Sequence, residues 1–289
     1  MSSRALILGA TLAGCAGASA AAAQSAPAAP TSPAPTSAAS AAPSATAAPS
    51  VADERLVISG DGSTLSQDHG GGGGSLTWLS TFDSGNVVGL GGEYQTIANS
   101  HWTLGNLSGL ATFGQPNAKL NLYADAHEGA GDVGSHGFHY SIVDGGLIGT
   151  LARVSVQLEE RRIDIDTSHG HLPKIGLSLR LTQQLLASVS YARSFGGNLG
   201  TRLTTIRLDY VSKTFTWFAG GDWGPAAPAV IDLVGQVVRP GPSLQEEFIG
   251  VGMPLRRTEW QLVGDHQDLE GFKRNTVTLT CTVHFGASG

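Results

Sequence analysis

The last stretch of the chain, N-T-V-T-L-T-C-T-V-H-F at residues 275–285, alternates without a break. Val277, Leu279, Cys281, Val283 and Phe285 fall on one face of an extended strand, and Thr276, Thr278, Thr280, Thr282 and His284 on the other, because strand side chains repeat every two residues. A soluble sandwich would have to cover the apolar face, yet the pattern recurs along most of the chain with no helical segment to serve as cover. A closed antiparallel sheet whose apolar outside meets hydrocarbon accounts for the pattern and satisfies every backbone hydrogen bond.

Composition agrees. The chain has 289 residues, 40 of them glycine, only 14% charged residues and a net charge of -6. That glycine content is high against an average of about 7% and suits tight turns and a closely packed wall. Apolar runs of about 18 residues are missing, so helical membrane spans are not expected. Nucleic acid is not expected either, because no basic patch or RNA-binding motif accompanies the mild acidity. Cys15 and Cys281 have no zinc or disulfide spacing. The glycine run at 70–74 is not followed by Lys-Ser or Lys-Thr, so it is not a phosphate loop, and no cofactor is expected.

Three segments are expected. Arg4, an apolar stretch at 5–14 and the small residues after it give residues 1–23 the order of a secretory signal, with Ala21-Ala22-Ala23 before a cut at Gln24. Leu12-Ala13-Gly14-Cys15 offers a competing lipobox with Cys15 acylated. Residues 24–74, dominated by Ala, Pro, Ser and Gly, have too few bulky side chains to offset the entropy of ordering and are expected to form a disordered linker. Residues 75–289 form the barrel.

From about residue 87 the alternation gives twelve strands of an up-and-down transmembrane β-barrel, or fourteen if 75–82 and 229–236 are added. The clearest wall strands place Ile175, Leu177 and Leu179, then Ala187, Val189 and Tyr191, then Ile206, Leu208 and Tyr210 outward. Around Trp102 to Phe113 the phase slips near Asn106, as at a bulge. With twelve strands both ends lie on one side. Short connections near 115–116, 144–146, 183–184, 212–213 and 254–255 join that side, and those around 129–135, 161–173, 195–200, 224–242 and 267–271 join the other. Trp102, Trp217, Trp223, Trp260, Tyr94 and Tyr210 are candidates for interfacial girdles.

The opposite faces carry the polar groups: Glu93, Asp125, His127, His139, Ser141, Glu159, Arg180, Arg207, Asp209, Asp222 and Asp265 are expected to line the inside. Such charges either pair and fill the lumen or set which solutes pass a pore. His139-Tyr140-Ser141 places an imidazole and a hydroxyl on one face, the spacing a nucleophile and its base require, though no acidic partner follows downstream. Asp164, Asp166, His169 and His171 alternate as divalent-cation ligands do, but acidic and histidine-rich segments are ordinarily just solvated, so no metal is assigned.

The pattern, the signal and the aromatic Phe285 near the C-terminus resemble bacterial outer-membrane β-barrels over roughly residues 87–285; the four residues after Phe285 depart from that family's ending. The resemblance implies a Gram-negative outer membrane, contact with its lipid and lipopolysaccharide, and insertion by the barrel-assembly machinery. Size, even strand pattern and the aromatic-ended last strand are similar to YaiO-like barrels, which are associated with surface polysaccharide. The expected function is a non-enzymatic route for small polar solutes or glycan. The alternatives are an enzyme acting on lipid A or polysaccharide, since His-x-Ser is similar to the pair of outer-membrane lipid A deacylases, and a structural or surface-anchoring barrel. Oligomeric state is not encoded in any of these features.

Overall fold

Pairing alternating segments edge to edge leaves two open edges unless the last strand meets the first, and here it does. The computed structural model describes residues 51–66, 70–97, 100–115, 118–133, 135–165, 168–197, 199–225, 243–269 and 272–285. The signal, Cys15 and the linker up to residue 50 lie outside these, as does the candidate strand at 229–236.

Every described element is a strand: β1 (Val51–Leu65), β2 (Gly71–Phe82), β3 (Val87–Ile97), β4 (Ser100–Gln115), β5 (Ala118–Val133), β6 (His136–Leu151), β7 (Val154–Ile165), β8 (Ser168–Arg180), β9 (Leu185–Arg193), β10 (Phe195–Gly197), β11 (Arg202–Val211), β12 (Thr216–Pro225), β13 (Ser243–Leu255), β14 (Thr258–Leu269) and β15 (Phe272–His284). Neighbours pair antiparallel, and β1 closes the ring against β15 from Arg55↔His284 to Leu65↔Arg274. β10 continues the β9 pairing along β8 after a break at Ser194, with Phe195↔His171 in the register of Ala192↔Lys174. The barrel therefore has fourteen strands plus this short extension, not twelve.

The two added strands are β1 and β2. Residues 51–65 and 71–74 belong to the wall and not to the linker, which corrects the boundary read from composition. Because both added strands precede residue 87, both ends still lie on one side. The connections 83–86, 152–153, 181–184, 212–215 and 256–257 share that side, and the longer connection between β9 and β11 lies at the other. By loop length the first is the inner end and the second the outer. Gly85, at φ 80, makes the 83–86 turn, its N–H donating to Phe82 O at 2.8 Å.

The wall has an apolar outside. Leu90, Ile249 and Val277 are each more than half exposed, and Val189, Leu279 and Leu262 nearly so. Such area on every strand has no place in water, and it meets lipid in a closed barrel. Aromatic side chains gather at the inner end: Trp78 stacks on Phe285 at 5.3 Å, and Tyr210 on Trp217 at 6.0 Å. Trp102 is excluded from that girdle, being 3% exposed and turned inward.

This wall predicts a sided response to charge. Leu279→Arg is expected to cost about 2–4 kcal/mol, as cations do near the bilayer midplane of such barrels. Thr278→Arg, one residue away and facing inward across from Asp61, is expected to cost a small fraction of that. Urea unfolding in detergent or vesicles measures both, and equal losses would contradict the assignment of faces.

Candidate functional site

The inward faces of fourteen strands line one lumen, and burial along it is uneven. Near the inner end, Arg55, Thr112, Asn121, Gln157, Ser188 and Asp209 are only half-buried. Toward the outer end the inward side chains become buried nearly all round: Ser63, Gln95, Trp102, His127, Tyr140, Arg161, Leu172, Leu203, Asp222, Glu246, Gln267 and Arg274. Inward side chains are thus partly exposed at the turn end and packed into a constriction in the outer half of the barrel.

On one arc the constriction is held by a paired ladder. Arg161 donates from Nε to Asp144 Oδ1 at 2.6 Å and from Nη2 to Asp144 Oδ2 at 2.9 Å, a bidentate pair with both side chains buried. Glu159 accepts from Lys174 Nζ at 2.8 Å, from Tyr123 Oη at 2.6 Å and from Gln157 Nε2 at 2.9 Å. His127 Nε2 and Asp125 Oδ2 are 2.6 Å apart. Gly146 makes room for this network, because a Cβ there would meet the Tyr123 ring and hydroxyl. Above the ladder, Trp102, Leu104, Phe138, Tyr140, Ile142, Ile163, Leu172 and Leu203 make the inner surface apolar.

The opposite arc has different chemistry. Arg207 donates from Nε and Nη2 to Asp209 Oδ1 at 2.9 and 2.7 Å and lies 4.2 Å from the centre of the Phe218 ring. Phe218 sits over Gly250 and Phe248 over Gly220, so two inward glycines seat two inward aromatics. Higher up, Thr205 Oγ1 donates to Asp222 Oδ1, and Asp222 lies across from Glu246. Gln95 Nε2 donates to Asp61 Oδ1 at 2.8 Å.

Of the residues expected inside, Glu93, Asp125, His127, Glu159, Arg207, Asp209, Asp222 and Asp265 point into the lumen. Arg180 lies at the inner rim, exposed at the end of β8. His139 and Ser141 are corrected: they face outward, because their neighbours Phe138, Tyr140 and Ile142 are buried inside. His139 is mostly exposed, with Nε2 2.5 Å from Glu128 Oε1. The apparent slip near Asn106 is not a bulge, since β4 keeps one register with β3 and with β5. Asp164 and His169 pair across β7 and β8, and His171 Nδ1 lies 2.8 Å from Glu160 Oε1. Asp166 lies outside the described residues, among which no metal-holding group forms.

Asp144, Arg161, Lys174, Glu246, Gln267 and Arg274 were missed. The signal for Arg161 was present: counting every second residue from Ser155 through Gln157 and Glu159 reaches it, but the run of charges reads as a strand end. Asp144 was hidden by the two glycines after it.

No protein-family model and no curated protein matches the sequence. Solved structures do resemble the fold. The monoaromatic hydrocarbon channel CymD aligns with a TM-score of 0.53 at 8% identity, over 83% of this chain and 90% of that one. A deletion mutant of the monoaromatic hydrocarbon channel TodX aligns with a TM-score of 0.51 at 8% identity, over 83% and 91%. The Acinetobacter baumannii outer-membrane protein Omp33 aligns with a TM-score of 0.49 at 10% identity, over 82% and 100%. The fold that this chain shares with these structures is a closed antiparallel β-barrel.

Proposed function

We propose that the protein is a non-enzymatic outer-membrane channel for small polar solutes. The observation that carries the reading is the lumen itself: partly exposed polar side chains at the turn end and a constriction rich in charges, inside a wall whose exterior suits lipid. A barrel that served only as an anchor would have no need of Asp222, Glu246 and Asp265 on adjacent strands facing inward. Glycan remains within the proposed solute class on the resemblance to YaiO-like barrels, and the proposed partners are outer-membrane lipid, lipopolysaccharide and, during insertion, the barrel-assembly machinery. Reconstitution into planar bilayers is expected to give discrete conductance steps. Folded protein that inserts without conducting would remove the channel.

One observation supports a second reading, an enzyme on the outer surface of the wall. Ser141 lies across from Glu128, whose carboxylate holds His139, and all three face outward just above the apolar residues Ala126 and Val143. Lipid headgroups would meet them there. Lipid A of unchanged acylation after expression, or equal activity in Ser141→Ala, discards it.

A further inference from the structure

We propose that the outside of the wall over β9, β11 and β12 is a binding surface for a phosphorylated lipid headgroup, with Arg193 and Arg202 as its anion clamp. The inference deepens the lipid partnership proposed above and rests on that reading, but it does not depend on whether the barrel conducts.

Arg193 and Arg202 lie directly across from one another on β9 and β11, and both are exposed. Their neighbours Ala192 and Leu203 are buried inside, so the two arginines face outward. Like charges directly opposite destabilise a pair of strands unless an anion stands between them. Neither arginine has a carboxylate partner among the described residues.

The rest of that level of the wall is different. His101 Nε2 lies 3.2 Å from Asp132 Oδ2, His139 Nε2 2.5 Å from Glu128 Oε1, His171 Nδ1 2.8 Å from Glu160 Oε1, and Lys273 Nζ 3.5 Å from Asp268 Oδ2. Arg162 is flanked on the same face of β7 by Glu160 and Asp164. Around Arg193 and Arg202 the surroundings are apolar instead. β8, beside β9, turns Pro173 and Ile175 outward, and the outer face of β12, beside β11, carries no charge and ends in Trp223 and Pro225.

What stands below the arginines identifies the partner. Tyr191, two residues before Arg193 on the same face, lies across from Thr204, and Thr204 lies across from Trp223. Val189 and Ile206, again directly opposed, come next toward the inner end. All of these except Thr204 are exposed large apolar side chains. The cationic pair therefore tops a row of aromatics, and the aromatics top bare hydrocarbon surface. Tyr and Trp settle at headgroup depth, so an anion held by the arginines has its acyl chains beside Val189 and Ile206. Phosphate oxygens match the guanidinium fork and accept two parallel N–H bonds from it. A free phosphate would gain nothing from the rows beneath, and the surface is therefore assigned to a lipid.

Diphosphorylated lipid A is the probe, and native mass spectrometry of the folded, detergent-solubilised protein is the measurement. The wild type is expected to retain one lipid, with affinity falling about tenfold in Arg193→Gln/Arg202→Gln, since charge-assisted hydrogen bonds are the strong ones. Arg153→Gln/Arg256→Gln, which removes two exposed cations at the inner turns, is expected to bind as the wild type does. If the first double variant does not fold, as judged by heat-modifiable gel mobility, Arg202→Gln alone is measured and is expected to lose about threefold. In bilayers the Arg193→Gln/Arg202→Gln protein is expected to conduct like the wild type, because both side chains stand outside the wall. Lipid binding by a barrel that does not conduct keeps the surface and removes the channel. Equal retention of dephosphorylated lipid A, competition by inorganic phosphate at equal concentration, an equal loss in the inner-turn variant, or a changed ion preference in the outer one overturns the proposal.

Discussion

Deleting residues 51–65 is expected to leave no folded barrel. β1 pairs with β15 over eleven positions from Arg55 to Leu65, and with β2 from Val51 to Ser63. Without it, β2 and β15 each present a row of N–H and C=O groups to hydrocarbon, where every unsatisfied group costs several kcal/mol. The sum exceeds the roughly 5–15 kcal/mol that holds a typical native state together. The shortened chain cannot close by pairing β2 with β15 either. Both strands run from the outer end to the inner end, so the pair would be parallel while every other pair in the barrel is antiparallel. Refolding into detergent, followed by heat-modifiable gel mobility and circular dichroism, is expected to show unfolded protein only. A heat-modifiable band from the deletion would mean that the ring closes without β1.

That segment also shows where the sequence stops being legible. The wall was readable wherever outward positions carry large apolar side chains, as in β8, β9, β11 and β15. In β1 and β2 four outward positions of the outer half are Gly60, Gly62, Gly72 and Gly74, which face one another across the ladder. A glycine has no side chain to mark its face, so the alternation vanishes although the backbone pairing is complete.

A different failure affects Trp102, Leu104 and His139. Alternation reports which side is greasy, and the rule that the greasy side is outside holds only at the level of the hydrocarbon. Above it, the outer face of β6 meets polar surroundings while inward side chains of several strands pack on one another, so Phe138, Tyr140 and Ile142 turn inward and His139 and Ser141 outward. The slip at Asn106 has the same origin: the strand continues in phase, and the media on its two sides change. Where charged side chains face the lumen, as at Asp125, Glu159, Asp209 and Asp222, the apolar neighbours of each keep to the outer face. Pairing within the lumen, Arg161 with Asp144 above all, joins β6 to β7 seventeen residues apart, and no local pattern encodes which inward charge meets which.

Replacing Arg161 by alanine is expected to cost about 3–5 kcal/mol, the usual loss when one partner of a buried pair is removed. Arg161 is 4% exposed and Asp144 7%, so water cannot take over the bidentate bonds. The loss reaches past Asp144: Arg161 Nη2 also stands 3.7 Å from Glu159 Oε1, and without it Glu159 has Lys174 as its cationic partner while Asp144 is left with a bare negative charge. The double variant Arg161→Met/Asp144→Leu removes both charges and keeps apolar volume, and is expected to lose much less than Arg161→Ala, because the desolvation cost of the ions disappears with their attraction. Urea unfolding of the detergent-folded proteins separates the two. If Arg161→Ala unfolds with the wild type, the ladder does not brace the constriction. If the double variant is as unstable as the single one, the loss comes from packing, and the charges are there for the solute and not for the fold.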